Sequence, residues 1–171
     1  MRRILFFVLP VVFIGGLAFL TACDRSPKKG EARALSGGAL NFTLPSVDGS
    51  IVRLSDYRGK VILVDFWATW CPPCREMIPV LSEIHRKYSS RGVVVLGISL
   101  DNDGLQALGP FVVEHRIPYK ILLGTDAVRE AFGGISSIPT LFMVDRNGKL
   151  VRKMIGYHSV EELEGQLKNY L

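Results

Sequence analysis

Cysteine is scarce in this chain: three in 171 residues, alongside only three histidines. A disulfide-dense scaffold is thereby excluded, and no Cys/His spacing supports a structural zinc site. The histidines, His85, His115 and His158, follow no ligand pattern and are expected on solvated faces. No block of like charge exceeds two residues and the net charge is a mild +5, so nothing points to nucleic acid. There is no internal repeat. Long hydrophobic runs are missing too, with one exception at residues 4–20, where only Pro10 and the Gly15-Gly16 pair interrupt the apolar stretch.

That run follows Arg2 and Arg3, and a short basic segment before an apolar one is the secretory-signal pattern. At 17 residues it is also marginally long enough to stay as an anchor helix. Leu20-Thr21-Ala22-Cys23 resembles a bacterial lipobox, which favours a lipoprotein signal over residues 1–22. Cys23 would then be the lipidated mature N-terminus, not a redox thiol. Two or more acyl chains, at about 0.8 kcal/mol per buried methylene, anchor stably. Asp24 resembles the residue that retains lipoproteins in the inner membrane of Gram-negative bacteria. The expectation is a domain outside the cytoplasm, held at the inner membrane and facing the periplasm. Removing residues 1–22 leaves 149, enough for one domain, with net charge +3 because Arg2 and Arg3 leave. Residues 23–39 read as a lipidated start and a flexible tether; residues 40–171 read as the folded domain.

Within that domain the patterns are regular. Residues 41–44 and 51–54 alternate around Ser46-Val47-Asp48-Gly49, an N-terminal hairpin. Residues 60–68 form an apolar strand broken by one acid, Asp65, as suits a central strand covered on both faces. A helix over 72–90 sets Met77, Val80, Leu81 and Ile84 inward, with a kink expected at Pro79. Strands at 93–100 and 119–122, helices at 105–115 and 127–132, a hairpin over 140–155 and a helix over 160–171 complete the order. Asn147-Gly148 favours a type I′ turn. The class is α/β, with a central mixed sheet flanked by helices, an N-terminal hairpin and a central strand-helix insertion.

The chemistry lies in Trp70-Cys71-Pro72-Pro73-Cys74, where two thiols three positions apart open a helix after a strand. Such a pair can close a small disulfide, and the helix dipole stabilises a thiolate at the first sulfur. Cys71, before the helix, is the expected attacking thiol with an exposed sulfur; Cys74 resolves. A static staple is the alternative, but so short a loop gains little entropy. Pro72 and Pro73 carry no N–H, which thins the donors facing Cys71. Asp65, six residues before Cys71, is a lone acid among apolar neighbours. Its pKa should rise, unless Lys60 pairs with it. Arg75 after Cys74 excludes a haem-attachment motif.

Val64-Asp65-Phe66-Trp67-Ala68-Thr69-Trp70-Cys71-Pro72-Pro73-Cys74 resembles thioredoxins, and Ile138-Pro139-Thr140 resembles the segment bearing their cis-proline. Leu54-Ser55-Asp56-Tyr57-Arg58-Gly59-Lys60 and the added elements around 102–122 resemble the TlpA/ResA-like branch of membrane-anchored thiol–disulfide oxidoreductases. The resemblance implies that Asp65 passes protons to and from Cys74. It places Pro139 in cis against the disulfide, a trans loop proline being the alternative. Ile138, Pro72, Pro73 and Trp70 would contact an extended client. No cofactor beyond the Cys71–Cys74 disulfide is implied. The branch commonly has a glutamate where this chain has Met77, and Glu76 lies about 100° round the helix. The acid role therefore falls to Asp65. Implied partners are client disulfides, among them apocytochrome c, and a membrane electron donor of the DsbD or CcdA type. Nothing suggests more than a monomer. A Cu(I) chaperone using the same cysteines and a thiol peroxidase are the other readings, and an oxidase direction stays open.

Overall fold

The computed structural model describes residues 32–35 and 39–171. The expected signal segment, Cys23 and most of the expected tether lie outside the described residues.

The apolar strand read from the sequence lies at the centre of a five-stranded sheet, paired on either side. In chain order the domain runs β1 (Ala32–Leu35), β2 (Ala39–Pro45), β3 (Ile51–Arg53), β4 (Val61–Trp67), α1 (Pro72–Tyr88), β5 (Val93–Ser99) and α2 (Leu105–Glu114). It continues with β6 (Lys120–Leu123), α3 (Asp126–Ala131), β7 (Thr140–Val144), β8 (Leu150–Ile155) and α4 (Val160–Leu167). The main sheet has the order β6-β5-β4-β7-β8. β4, β5 and β6 are parallel, while β7 and β8 run antiparallel. This is a thioredoxin-like fold, and the expected mixed sheet with flanking helices is borne out.

β4 is buried along its whole length, and its alternation divides two cores. Val61, Leu63 and Trp67 pack with α1, α2 and α4 residues such as Leu81, Leu108 and Leu163. Ile62, Val64 and Phe66 face the hairpin and α3, against Phe42, Leu44 and Phe132. Phe66, Phe132 and Phe142 meet edge-to-face there at 4.8–5.7 Å between ring centres. The hairpin is tied to edge strand β6: Ser46 Oγ and Val47 N both donate to the Ile121 carbonyl. Lys120 pairs with Asp48 across the same seam.

Ala32–Leu35, inside the stretch read as tether, pairs antiparallel with β2. Two local expectations are corrected. The β7–β8 turn is not type I′, since Gly148 has positive φ and Asn147 does not. Asp145 explains the difference: its carboxylate accepts from Asn147 N and Lys149 N and its carbonyl from Gly148 N. That network holds a type I turn followed by a left-handed glycine. His85 is not on a solvated face; it is half-buried, its Nδ1 has no partner among the described residues, and burial lowers its pKa. α1 runs uninterrupted through Pro79 to Tyr88.

Candidate active site

The strand β4 delivers the chain to a turn, Ala68 to Trp70, that is fixed from the neighbouring strand. Thr69 donates through both its N–H and its hydroxyl to the Asp101 carboxylate, at 2.7–3.2 Å. Ser99 Oγ donates to the same carboxylate at 2.7 Å. This clamp was not anticipated. Its signal is positional: the carboxyl ends of parallel strands gather functional residues, and Asp101 follows β5 there as Thr69 follows β4. Asp101→Ala would strand these partly buried donors, costing about 1–3 kcal/mol. Urea unfolding should register that loss, and exchange rates with protein substrates should fall with it.

Cys71 is the N-cap of α1, in extended conformation, and Pro72 and Pro73 fill the first helical positions. Cys74 N donates to Cys71 Sγ at 3.3 Å. The sulfur thus takes the place of a capping oxygen, at the positive end of the helix. With Pro73 at the other position able to reach a cap, Cys74 N is the sole helical donor to it among the described residues. Pro73→Ala adds a donor, and the reduced variant should be alkylated by iodoacetamide a few-fold faster at pH 6. An unchanged rate would show that Pro73 does not limit the thiolate.

Cys71 and Cys74 are joined as a disulfide. Cys74 is wholly buried, and Cys71 is 4% exposed. The expected asymmetry is present, but Cys71 is more enclosed than an exposed sulfur, because the 138–139 loop closes over it. Ile138–Pro139 is cis, and the Ile138 carbonyl oxygen lies 3.8 Å from Cys71 Sγ. Pro139 is buried and Ile138 half-buried. Gly156 N donates to the Pro139 carbonyl, which brings the exposed Tyr157 to the same rim. Trp70 is 67% exposed, whereas Trp67 is core. Pro72 and Pro73 are exposed.

Asp65 is 3% exposed, on the β4 face that also carries Trp67 and packs against α1. Neither its Oδ1 nor Trp67 Nε1 has a protein hydrogen-bond partner among the described residues. Burial raises the Asp65 pKa to about 7. No ion pair with Lys60 forms among the described residues. Gly97 stands opposite Asp65 in register, and its missing side chain admits the Trp67 indole and the Tyr119 ring. The Tyr119 hydroxyl is itself pushed well above its usual pKa, by burial and by the Asp65 charge. Met77 is buried beside the cysteines, its sulfur accepting from His158 N, while Glu76 is exposed. The described residues contain no cluster of three or more His, Cys, Asp or Glu side chains suited to a metal.

A model of the AhpC/TSA family matches residues 37–153. The thiol–disulfide oxidoreductase ResA of Bacillus thuringiensis is 30% identical over 169 residues, covering 98% of this chain and 96% of ResA. Among solved structures, a thiol:disulfide interchange protein of the thioredoxin family from Chlorobium tepidum is 31% identical with a TM-score of 0.72. That match covers 81% of this chain and 99% of the other. The exposed lipoprotein thioredoxin Etrx1 of Streptococcus pneumoniae is 28% identical, with a TM-score of 0.67, over 75% of this chain and 98% of its own. The chain therefore belongs to the AhpC/TSA family, and its relatives and its buried dithiol make it a ResA-like thiol–disulfide oxidoreductase.

Proposed function

We propose that the protein reduces disulfides of client proteins outside the cytoplasm, held at the membrane by a lipid on Cys23. The asymmetry of the pair carries this reading: Cys71 caps the helix at the rim, and Cys74 is sealed beneath it. In the reduced protein the Cys71 thiolate attacks one sulfur of a client disulfide. The client S–S bond breaks, a mixed disulfide forms, and the second client sulfur leaves as a thiolate and takes a proton. Cys74 then loses its proton to Asp65 and attacks the Cys71 sulfur. The protein disulfide forms, the first client sulfur is released, and two electrons have passed to the client. The Ile138 and Pro139 backbone would align an extended client beside Cys71, with Trp70, Pro72 and Pro73 at its edge.

Leu20-Thr21-Ala22-Cys23 supports the anchor, as does the likeness to an exposed lipoprotein. A reductase in an oxidising compartment needs electrons from across the membrane, which suits a donor of the DsbD or CcdA type. Apocytochrome c is the proposed client. Equilibration with dithiothreitol or glutathione buffers tests the direction. A potential near that of thioredoxin, about −270 mV, is expected; one near about −120 mV would make the protein an oxidant and overturn the reductase reading.

A further inference from the structure

Beside the redox site, α1 carries a face with no role in the exchange steps. Arg75, Pro79, Ser82 and Arg86 recur at helical spacing along one stripe of α1. Across from them stand His115 and Arg116, at the end of α2. Together these residues line a groove of about 280 Å³, floored by Ile78 and Ser82. Three arginines and a histidine border it, and none of its lining residues is acidic. Among the described residues no salt bridge uses Arg75, Arg86 or Arg116; the bridges present belong to Lys87, Lys120, Arg129 and His158. The acids of this part of α1, Glu76 and Glu83, sit about 100° and 80° round the helix from Arg75. Arg116 occupies the left-handed region at φ 48°, which a glycine or asparagine would hold with less strain.

The groove starts at the redox pair. Arg75 directly follows Cys74, at the helix end where Trp70, Pro72 and Pro73 are exposed. From Arg75 to Arg86 is about 16 Å along the helix. That is the span of about five residues of extended chain. A guanidinium accepts a carboxylate in a planar fork, so arginines on both walls suit the side chains of such a segment. One chain could thus lie in the groove and present a cysteine at Cys71. A lipid surface offers no comparable continuity with the sulfur.

We propose that this groove docks an acidic segment of the protein that exchanges disulfides with Cys71; the inference rests on the exchange reading above. The test uses synthetic peptides with one common disulfide loop and a tail of glutamates, of lysines or of serines. Their reduction by the pre-reduced protein is followed at low salt and at roughly 0.5 M salt, where screening cuts the interaction range to about 4 Å. The variant combines Arg86→Glu with Arg116→Asn, which leaves Arg75 beside the cysteines intact and suits the backbone at 116. Wild-type protein should reduce the glutamate peptide about tenfold faster than the lysine peptide at low salt, and nearly equally at high salt. The variant should lose or reverse that preference while reducing the serine peptide at the wild-type rate. Equal rates for the two charged peptides in wild type, or a preference that survives in the variant, overturns the proposal. So does sedimentation of the wild type, but not the variant, with phosphatidylglycerol vesicles in the absence of any peptide preference. Failure to reduce even the serine peptide would instead overturn the exchange reading itself.

Discussion

Cys71→Ser is expected to lower disulfide-exchange activity by at least about 10³-fold, because no other thiol of the domain can begin the reaction. Serine keeps the size and the cap but not the nucleophile. Its alkoxide is not populated at neutral pH, so the helix dipole has no anion to stabilise. Cys74→Ser should fail differently. The variant can still attack a client but cannot release it, so steady-state turnover is lost while a covalent adduct accumulates. A plain structural staple would give the two variants the same small effect. Insulin reduction and non-reducing electrophoresis separate these outcomes. Equal behaviour of the two variants in both assays would show that Cys71 has no distinct entering role.

Asp65→Asn is expected to slow resolution of the mixed disulfide by about 10²-fold or more, in line with the removal of a positioned base. The wild-type rate should fall as pH drops below about 7, where the Asp65 carboxylate becomes protonated and cannot accept the Cys74 proton. The variant should lose that dependence. Stability should move in the opposite direction. The unfolded carboxyl titrates near 3.8, and burial holds the folded one near 7. Between those values the native protein keeps a proton that the unfolded chain has lost. Wild-type stability therefore declines as pH rises through that window and levels off above it. The shift corresponds to at most on the order of 4 kcal/mol, so Asp65→Asn should gain a few kcal/mol at pH 8 and almost nothing at pH 4. Urea midpoints at the two pH values check this. A destabilised variant at pH 8 would show that the carboxylate is satisfied in the folded protein.

Much of this architecture was readable from local pattern. β4 announced itself as an unbroken apolar run, and Asp65 stood out because a carboxylate is costly in such a run. The helix start was legible because Pro72 and Pro73 suit the first turn and the cysteine precedes them. What could not be read depends on partners distant in sequence. Asp101 reaches Thr69 across 32 positions, and nothing in Ser99-Leu100-Asp101 alone signals a clamp. Pairing of Ala32–Leu35 with β2 draws on a short segment without alternation, inside a stretch of turn-forming residues. Enclosure of Cys71 required knowing where the 138–139 loop lands. The β7–β8 turn failed for another reason: Asn-Gly is permissive for type I′, but the Asp145 carboxylate favours a competing turn.

Trapping the intermediate tests the central claim most directly. Reduced Cys74→Ser protein is mixed with a peptide that carries a disulfide, quenched with acid and weighed intact. The account predicts one peptide per protein, joined through Cys71 and released by dithiothreitol, with no adduct on the Cys71→Ser variant. An adduct that forms equally well on Cys74 of the Cys71→Ser variant, or no adduct on either, would contradict it.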